Sequence, residues 1–148
     1  MQKERFKVIA SVYLVLIRDN KILLSRRYNT GYFDGYYSFP AGHLDGKETL
    51  KQGVVREVKE EIGIILDPAD LELIHVMNRK MPNNERVDFF FAIKKCHGEP
   101  KIMEPDKCDD LSWFKLNNLP QNIVPYIKQA IDSFQKNIIY SEREGEEN

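Results

Sequence analysis

Between Gly42 and Ile64 the chain reads GHLDGKETLKQGVVREVKEEIGI, and no other stretch constrains the fold so tightly. On a helix, at roughly 100° per residue, Glu57, Glu60 and Glu61 share one arc, because spacings of three and four residues make surface neighbours. Val55, Val58 and Ile62 share a different arc. The segment is therefore expected to be a helix with an apolar side that packs and an acidic side that does not. It should begin near Glu48 or Thr49 and stop at Gly63, a residue suited to a left-handed helix end. Like charges at this spacing destabilise a helix, so something cationic is expected among them. Hard divalent ions such as Mg²⁺ prefer oxygen ligands and take a few carboxylates together with waters and substrate phosphates. Read in isolation, EVKEE could equally be a solvated charged face.

The longer pattern narrows the choice. Gly42, five residues, Glu48, seven residues, Arg56-Glu57, an apolar residue, any residue, Glu60-Glu61, any residue, Gly63 and an apolar residue follow in order. This spacing resembles the signature of the Nudix hydrolase family at every fixed position. The resemblance implies an α/β fold, an α/β/α sandwich with a mixed β-sheet between helices. It also implies a metal-dependent pyrophosphohydrolase of the MutT type, in which water attacks a phosphorus of a diphosphate bridge. The expected cofactor is Mg²⁺ or Mn²⁺. The expected substrate is a nucleoside triphosphate, oxidised ones included, cleaved to a nucleoside monophosphate and pyrophosphate. The competing readings are a nucleotide-binding regulator with little turnover, or a hydrolase of another nucleoside diphosphate derivative or of RNA 5′ ends. An intact set of box carboxylates favours the enzyme.

By resemblance, Glu57, Glu60 and Glu61 hold metal and supply the base. Glu57 and Glu61 are expected as direct ligands, with Glu60 a further ligand or one step behind. Arg56, with its planar fork, would orient a box carboxylate, and Gly42 would lend a backbone carbonyl to the metal. Glu48 is either a ligand through water or a charge favoured at a helix N-terminus. Outside the box, Glu104 in EPDKCDDLSWF is the candidate for the extra carboxylate that MutT-type members often carry there, with Asp106 second. Arg26 and Arg27 would hold phosphate or sugar. Asn122 either reads a purine edge or caps the last helix. Phe39 and Tyr37 either flank a base or belong to the core. His43 could shuttle a proton, though the carboxylates suffice. The chain has Ala41-Gly42 where many MutT-type enzymes have Gly-Gly, which leaves substrate preference open.

The rest of the chain sets limits. Its 148 residues suit one domain, expected over 1–140, with an acidic tail over 141–148 expected to fray. Lys and Arg total 22 against 23 Asp and Glu, so no strong field favours a polynucleotide or a membrane. The expected partner is a small nucleotide. Homodimerisation is a family habit, but no apolar stripe marks an interface. The start is too polar for a signal peptide, no apolar run reaches the roughly 20 residues needed to span a bilayer, and Cys96 and Cys108 read as reduced thiols. Together these point to the cytoplasm. Strands are expected over 6–18, 21–25, 36–39, 71–81, 86–94 and 111–116, the first two joined at Asp19-Asn20 and the fifth central. Loops are expected over 26–35 and 41–47, and a last helix over 122–135.

Overall fold

The long apolar run near the N-terminus reads as one strand, but in the computed structural model, which describes residues 3–145, it breaks at Leu16 and serves two sheets. In chain order the strands are Ile9–Val15 (β1), Ile17–Arg18 (β2), Lys21–Arg27 (β3), Tyr37–Ser38 (β4), Ala41–His43 (β5), Leu71–Lys80 (β6), Glu85–Ile93 (β7), Cys108–Lys115 (β8) and Tyr140–Glu144 (β9). The helices are Leu50–Ile62 (α1) and Pro125–Gln135 (α2). Asp19 and Asn20 both take positive φ, 51° and 64°, the conformation that a tight two-residue hairpin demands, and β3 returns against β2.

The larger sheet has the order β5-β1-β7-β6-β9. The β1–β7 and β6–β9 pairs are parallel and the β1–β5 and β6–β7 pairs antiparallel, so the sheet is mixed and β7 is central, as expected. In the second sheet β3 pairs antiparallel with β2, β4 and β8. Along β1, Val12 and Leu14 join one apolar cluster with Val54, Val58 and Ile62 of α1. Tyr13 and Val15 join the other, with Ile127 and Ile131 of α2. Both faces of β1 are thus covered, which is why its sequence shows no polar alternation.

Helix α1 has the expected ends. Thr49 and Gln52 form a capping box: the Gln52 N–H donates to Thr49 Oγ1 (3.2 Å) and the Thr49 N–H to Gln52 Oε1 (2.9 Å). Gly63, at φ 72°, closes the other end. The buried side is Gly53, Val54, Val58 and Ile62; Val55, expected among them, is only partly covered. Gly53 allows this close approach, since a Cβ there would come within 2.7 Å of Leu44 Cδ2.

Several boundaries move. The expected 41–47 loop begins with β5, an edge strand too short to show alternation. β3 runs on through Arg26 and Arg27 because β8, starting early at Cys108, pairs with it there. Helix α2 starts at Pro125, behind Val124, where a proline's fixed φ fits the first turn. The tail expected to fray from residue 141 instead continues as β9, parallel to β6 as far as Glu144. Fully buried His75 secures it, with Nδ1 2.8 Å from Ile138 O and Nε2 2.7 Å from Ser141 Oγ. An edge strand needs backbone partners rather than apolar side chains, so an acidic composition does not prevent it. The final residues of that tail, 146–148, lie outside the described residues.

Candidate active site

The site forms where β5 meets α1. Gly42 pairs with Val12 in the sheet, and the carboxylate of Glu57 lies directly over its Cα, inside the space that any Cβ would need. Glycine is required here by that approach and by no turn.

Arg56 is the hub. Its Nε and Nη2 donate to the two oxygens of Glu48 (3.1 and 2.7 Å), its Nη1 to Glu57 Oε1 (2.7 Å), and Nη2 also to the carbonyl of His43 (3.2 Å). Asp45 and Glu60 lie 3.4 and 3.6 Å from Nη1. The cation expected among the box acids is therefore, in part, already present in the chain. Glu48, expected as a ligand through water or as a charge at the helix N-terminus, is tied to Arg56. The hydrogen bonds from Arg56 hold its carboxyl down at about 2, helped by the Asp45 N–H. It is a clamp that fixes the guanidinium, which in turn orients Glu57.

Glu61 is set deeper. Its Oε2 accepts from the Ala41 N–H at 3.2 Å. Burial pushes its carboxyl up to about 8; the Ala41 N–H opposes the rise, and the negative charges of Glu57 and Glu104 add to it. Burial also raises Glu57, against the pull of Arg56. Glu60 sits at the rim with about half its side chain exposed (52%). Glu104 reaches the site because the loop carrying it is tied to the end of α1: the Lys101 N–H donates to Ile62 O and the Met103 N–H to Glu61 O, both at 3.0 Å.

These donors suit a hard divalent cation. Among the described residues no three His, Cys, Asp or Glu side chains are drawn together as a ready-made cage. Two partly buried carboxylates, raised in pKa and opening onto a cleft, instead leave coordination positions for water and phosphate, the arrangement typical of Mg²⁺. A cation would relieve the burial of Glu61 by favouring its ionised form.

The cleft has a volume of about 700 Å³, and Arg26, Arg27, Gly42, Glu57, Glu61 and Glu104 all line it. Arg26 donates to Asp109 (2.7 Å) and lies over the Tyr37 ring. Arg27 donates to Tyr32 O (2.5 Å) and to Thr30 Oγ1 (3.1 Å). Two residues expected to contact substrate are held by other partners. Phe39 is buried and packs edge-on against Phe90, so it backs the cleft floor and offers no free face to a base. Asn122 is not the helix cap, which falls at Val124. Its side-chain amide donates to the Gly35 carbonyl (2.8 Å), and its backbone carbonyl accepts from the Tyr37 N–H (2.8 Å), so it pins the 28–35 loop. Tyr37 is also a core residue, and it donates to Asp110. Sequence reasoning missed Thr30 and Lys107 on the cleft wall; both come from loops whose return to the site no local signal marks. It missed as well the buried Arg79–Asp88 pair, which the mixed polar and apolar sequences of β6 and β7 do not mark.

A box helix against a glycine edge strand, in a mixed sheet between two helices, defines a Nudix hydrolase. The NUDIX domain model matches residues 7–134, and the chain belongs to that family. It is 34% identical over 107 residues to an ADP-ribose pyrophosphatase of Methanocaldococcus jannaschii, covering 72% of this chain and 62% of that protein. It is 33% identical over 110 residues to the NAD-capped RNA hydrolase NudC of Pseudomonas aeruginosa, covering 74% of this chain but 37% of NudC. The chain thus spans less than two thirds of either relative. An 8-oxo-dGTP diphosphatase of Escherichia coli is 29% identical over 111 residues, 75% of this chain and 84% of that one. Among solved structures, a MutT NUDIX hydrolase from Burkholderia pseudomallei superposes with a TM-score of 0.78 at 29% identity, covering 85% of this chain and 97% of that one.

Proposed function

We propose that this chain is a Mg²⁺- or Mn²⁺-dependent pyrophosphohydrolase that cleaves a nucleoside triphosphate to a nucleoside monophosphate and pyrophosphate. The observation that carries the reading is the pairing of two partly buried carboxylates with raised pKa, Glu57 and Glu61, with Arg26 and Arg27 across one cleft. Glu57 and Glu61 would hold the cation, with the Gly42 carbonyl and Glu60 completing or supporting its shell. When bound, the ion supplies Lewis-acid charge and makes its water more acidic. Arg56 keeps Glu57 aimed. Arg26 and Arg27 would neutralise and orient phosphate oxygens, and positioning of this kind is most of what phosphoryl transfer asks of a protein. Glu104, beside Glu61, is the candidate to accept the proton of the attacking water. The setting would be the cytoplasm, consistent with two free cysteines. Among the described residues, no helix is long and apolar enough to cross a membrane.

A second reading, cleavage of ADP-ribose, is favoured by the 34% identity to the archaeal ADP-ribose pyrophosphatase. A panel of nucleoside triphosphates, 8-oxo-dGTP, ADP-ribose, NAD-capped RNA and triphosphorylated RNA, assayed with Mg²⁺ and with Mn²⁺, separates these. Pyrophosphate and a nucleoside monophosphate from a triphosphate are the expected products. Cleavage of ADP-ribose alone moves the assignment to the second reading. No cleavage of any member with either ion leaves a nucleotide-binding regulator.

A further inference from the structure

Arg26 and Arg27 are consecutive on β3, and successive side chains of a strand point to opposite faces, yet both line the one cleft. The partner strand β8 accounts for this. From Lys21 opposite Lys115 to Arg26 opposite Asp110 the two strands keep a regular antiparallel register; it then shifts, and Arg27 stands opposite Cys108. Asp109 is thus the extra residue of a β-bulge, which sharpens local twist and re-aims side chains. An unbroken register would set Asp109 opposite Arg27. The bulge skips that pairing and hands the acid to Arg26, whose Nε donates to Asp109 Oδ1 at 2.7 Å.

A second support comes from the neighbouring strands. Tyr37, Arg26 and Asp110 stand in one row across β4, β3 and β8, and cross-strand partners share a face. The Tyr37 hydroxyl donates to Asp110 Oδ2, which also accepts from Ser112 Oγ at 2.7 Å. Those bonds fix the ring over which the Arg26 guanidinium lies, 5.7 Å from the ring centre. Arg26 is therefore held along its Nε side by Asp109 and across its plane by Tyr37. Among the described residues its Nη1 and Nη2 make no hydrogen bond. Arg27 is held differently, with the neutral Tyr32 carbonyl and Thr30 hydroxyl as its acceptors.

We infer that Asp109 is a positioning residue: bulged out of β8, it grips Arg26 by Nε so that the Nη end of the guanidinium meets substrate phosphate. Two N–H groups then face two oxygens, the pairing that suits arginine best. The inference rests on the pyrophosphohydrolase reading above. The two arginines divide the work. Arg26, its charge offset by Asp109, supplies direction. Arg27, with no acid hydrogen-bonded to it, supplies uncompensated positive charge.

A double-mutant cycle tests this, read by calorimetric binding of pyrophosphate without divalent metal, so that no turnover enters. Asp109→Ala is expected to weaken pyrophosphate about tenfold, the loss of one charge-assisted contact. Arg26→Ala should weaken it at least as much, and the double variant no further than Arg26→Ala alone, because residues that act as one unit are not additive. Combined with Arg27→Ala, Asp109→Ala should still add its own loss. Asp109→Asn keeps an acceptor for Nε and should recover most of the affinity. Losses that add in the Arg26→Ala background overturn the positioning role. Unchanged or tighter binding by Asp109→Ala overturns it too, as does a parent protein that binds no pyrophosphate. The substrate panel is scored separately: absence of hydrolysis with the cycle intact rejects the pyrophosphohydrolase reading and leaves Asp109 as the residue that aims Arg26 at phosphate.

Discussion

The carboxylate of Glu57 occupies the volume that a side chain on Gly42 would fill. A methyl group at that position has to displace the carboxylate or push β5 off α1. Because Glu57 is the softer partner, Gly42→Ala is expected to move it and to spare the sheet. A displacement of about 1 Å in such a site costs on the order of 10²-fold in rate. Steady-state kinetics and thermal melting check this together: kcat/KM should fall by that amount while Tm stays nearly constant. Unchanged kinetics would show that the Glu57 position does not matter.

Glu57→Gln keeps the shape and removes the charge. Several kcal/mol of transition-state stabilisation are attached to a metal's charge, and each ~1.4 kcal/mol is tenfold. The variant is therefore expected to lose several orders of magnitude in kcat with its fold intact by circular dichroism, and to bind Mn²⁺ more weakly in a direct titration. Activity within a factor of about ten of the parent contradicts the ligand role.

The pH dependence follows from Glu61. Its ordinary value is 4.5 and the folded value is raised to about 8. Between those limits the folded protein keeps a proton that the unfolded chain has released. Stability of the metal-free protein therefore falls as pH rises through that window and levels off above it. Burial of Glu57 acts in the same direction, while the window of Glu48, held down at about 2, lies below it. A divalent ion needs the ionised carboxylates, so its affinity should climb with pH over the same range and offset the lost stability. Urea denaturation with EDTA and with Mg²⁺ across the window measures both slopes, and a flat EDTA curve contradicts the assignment.

Asp88→Ala leaves the Arg79 guanidinium buried without its partner. Removing one member of a buried ion pair typically costs about 3–5 kcal/mol, and that loss is expected in urea denaturation. Asn122→Ala removes one hydrogen bond to Gly35, which is worth about 1 kcal/mol. It is expected to lower Tm slightly and to leave base preference unchanged. A changed base preference would restore its reading as a purine contact.

How much of this could be read from the chain depended on whether the signal was local. The acidic arc of α1, its Thr49 and Gly63 ends and the Asp19-Asn20 turn are written within a few residues, and they stand where expected. The break at Leu16 is not, because one apolar run looks the same whether it feeds one sheet or two. Strand β9 was hidden by its charged composition. Asn122 resembled a ligand-reading residue, but its partner is a carbonyl 87 residues away in sequence, and no spacing rule anticipates that. The clamp role of Glu48 had the same obstacle in milder form. Its two candidate roles were read from its place just ahead of the helix, whereas its partner Arg56 lies two turns along.

The guanidinium of Arg56 has a consequence for how such a protein lives. With four acids gathered around it, the crowded turn carries its own counter-ion from the ribosome onward. The polypeptide can mature, and be stored, before any magnesium arrives. On the metal-dependent reading, an arriving ion would then add to a turn whose charges are already partly balanced.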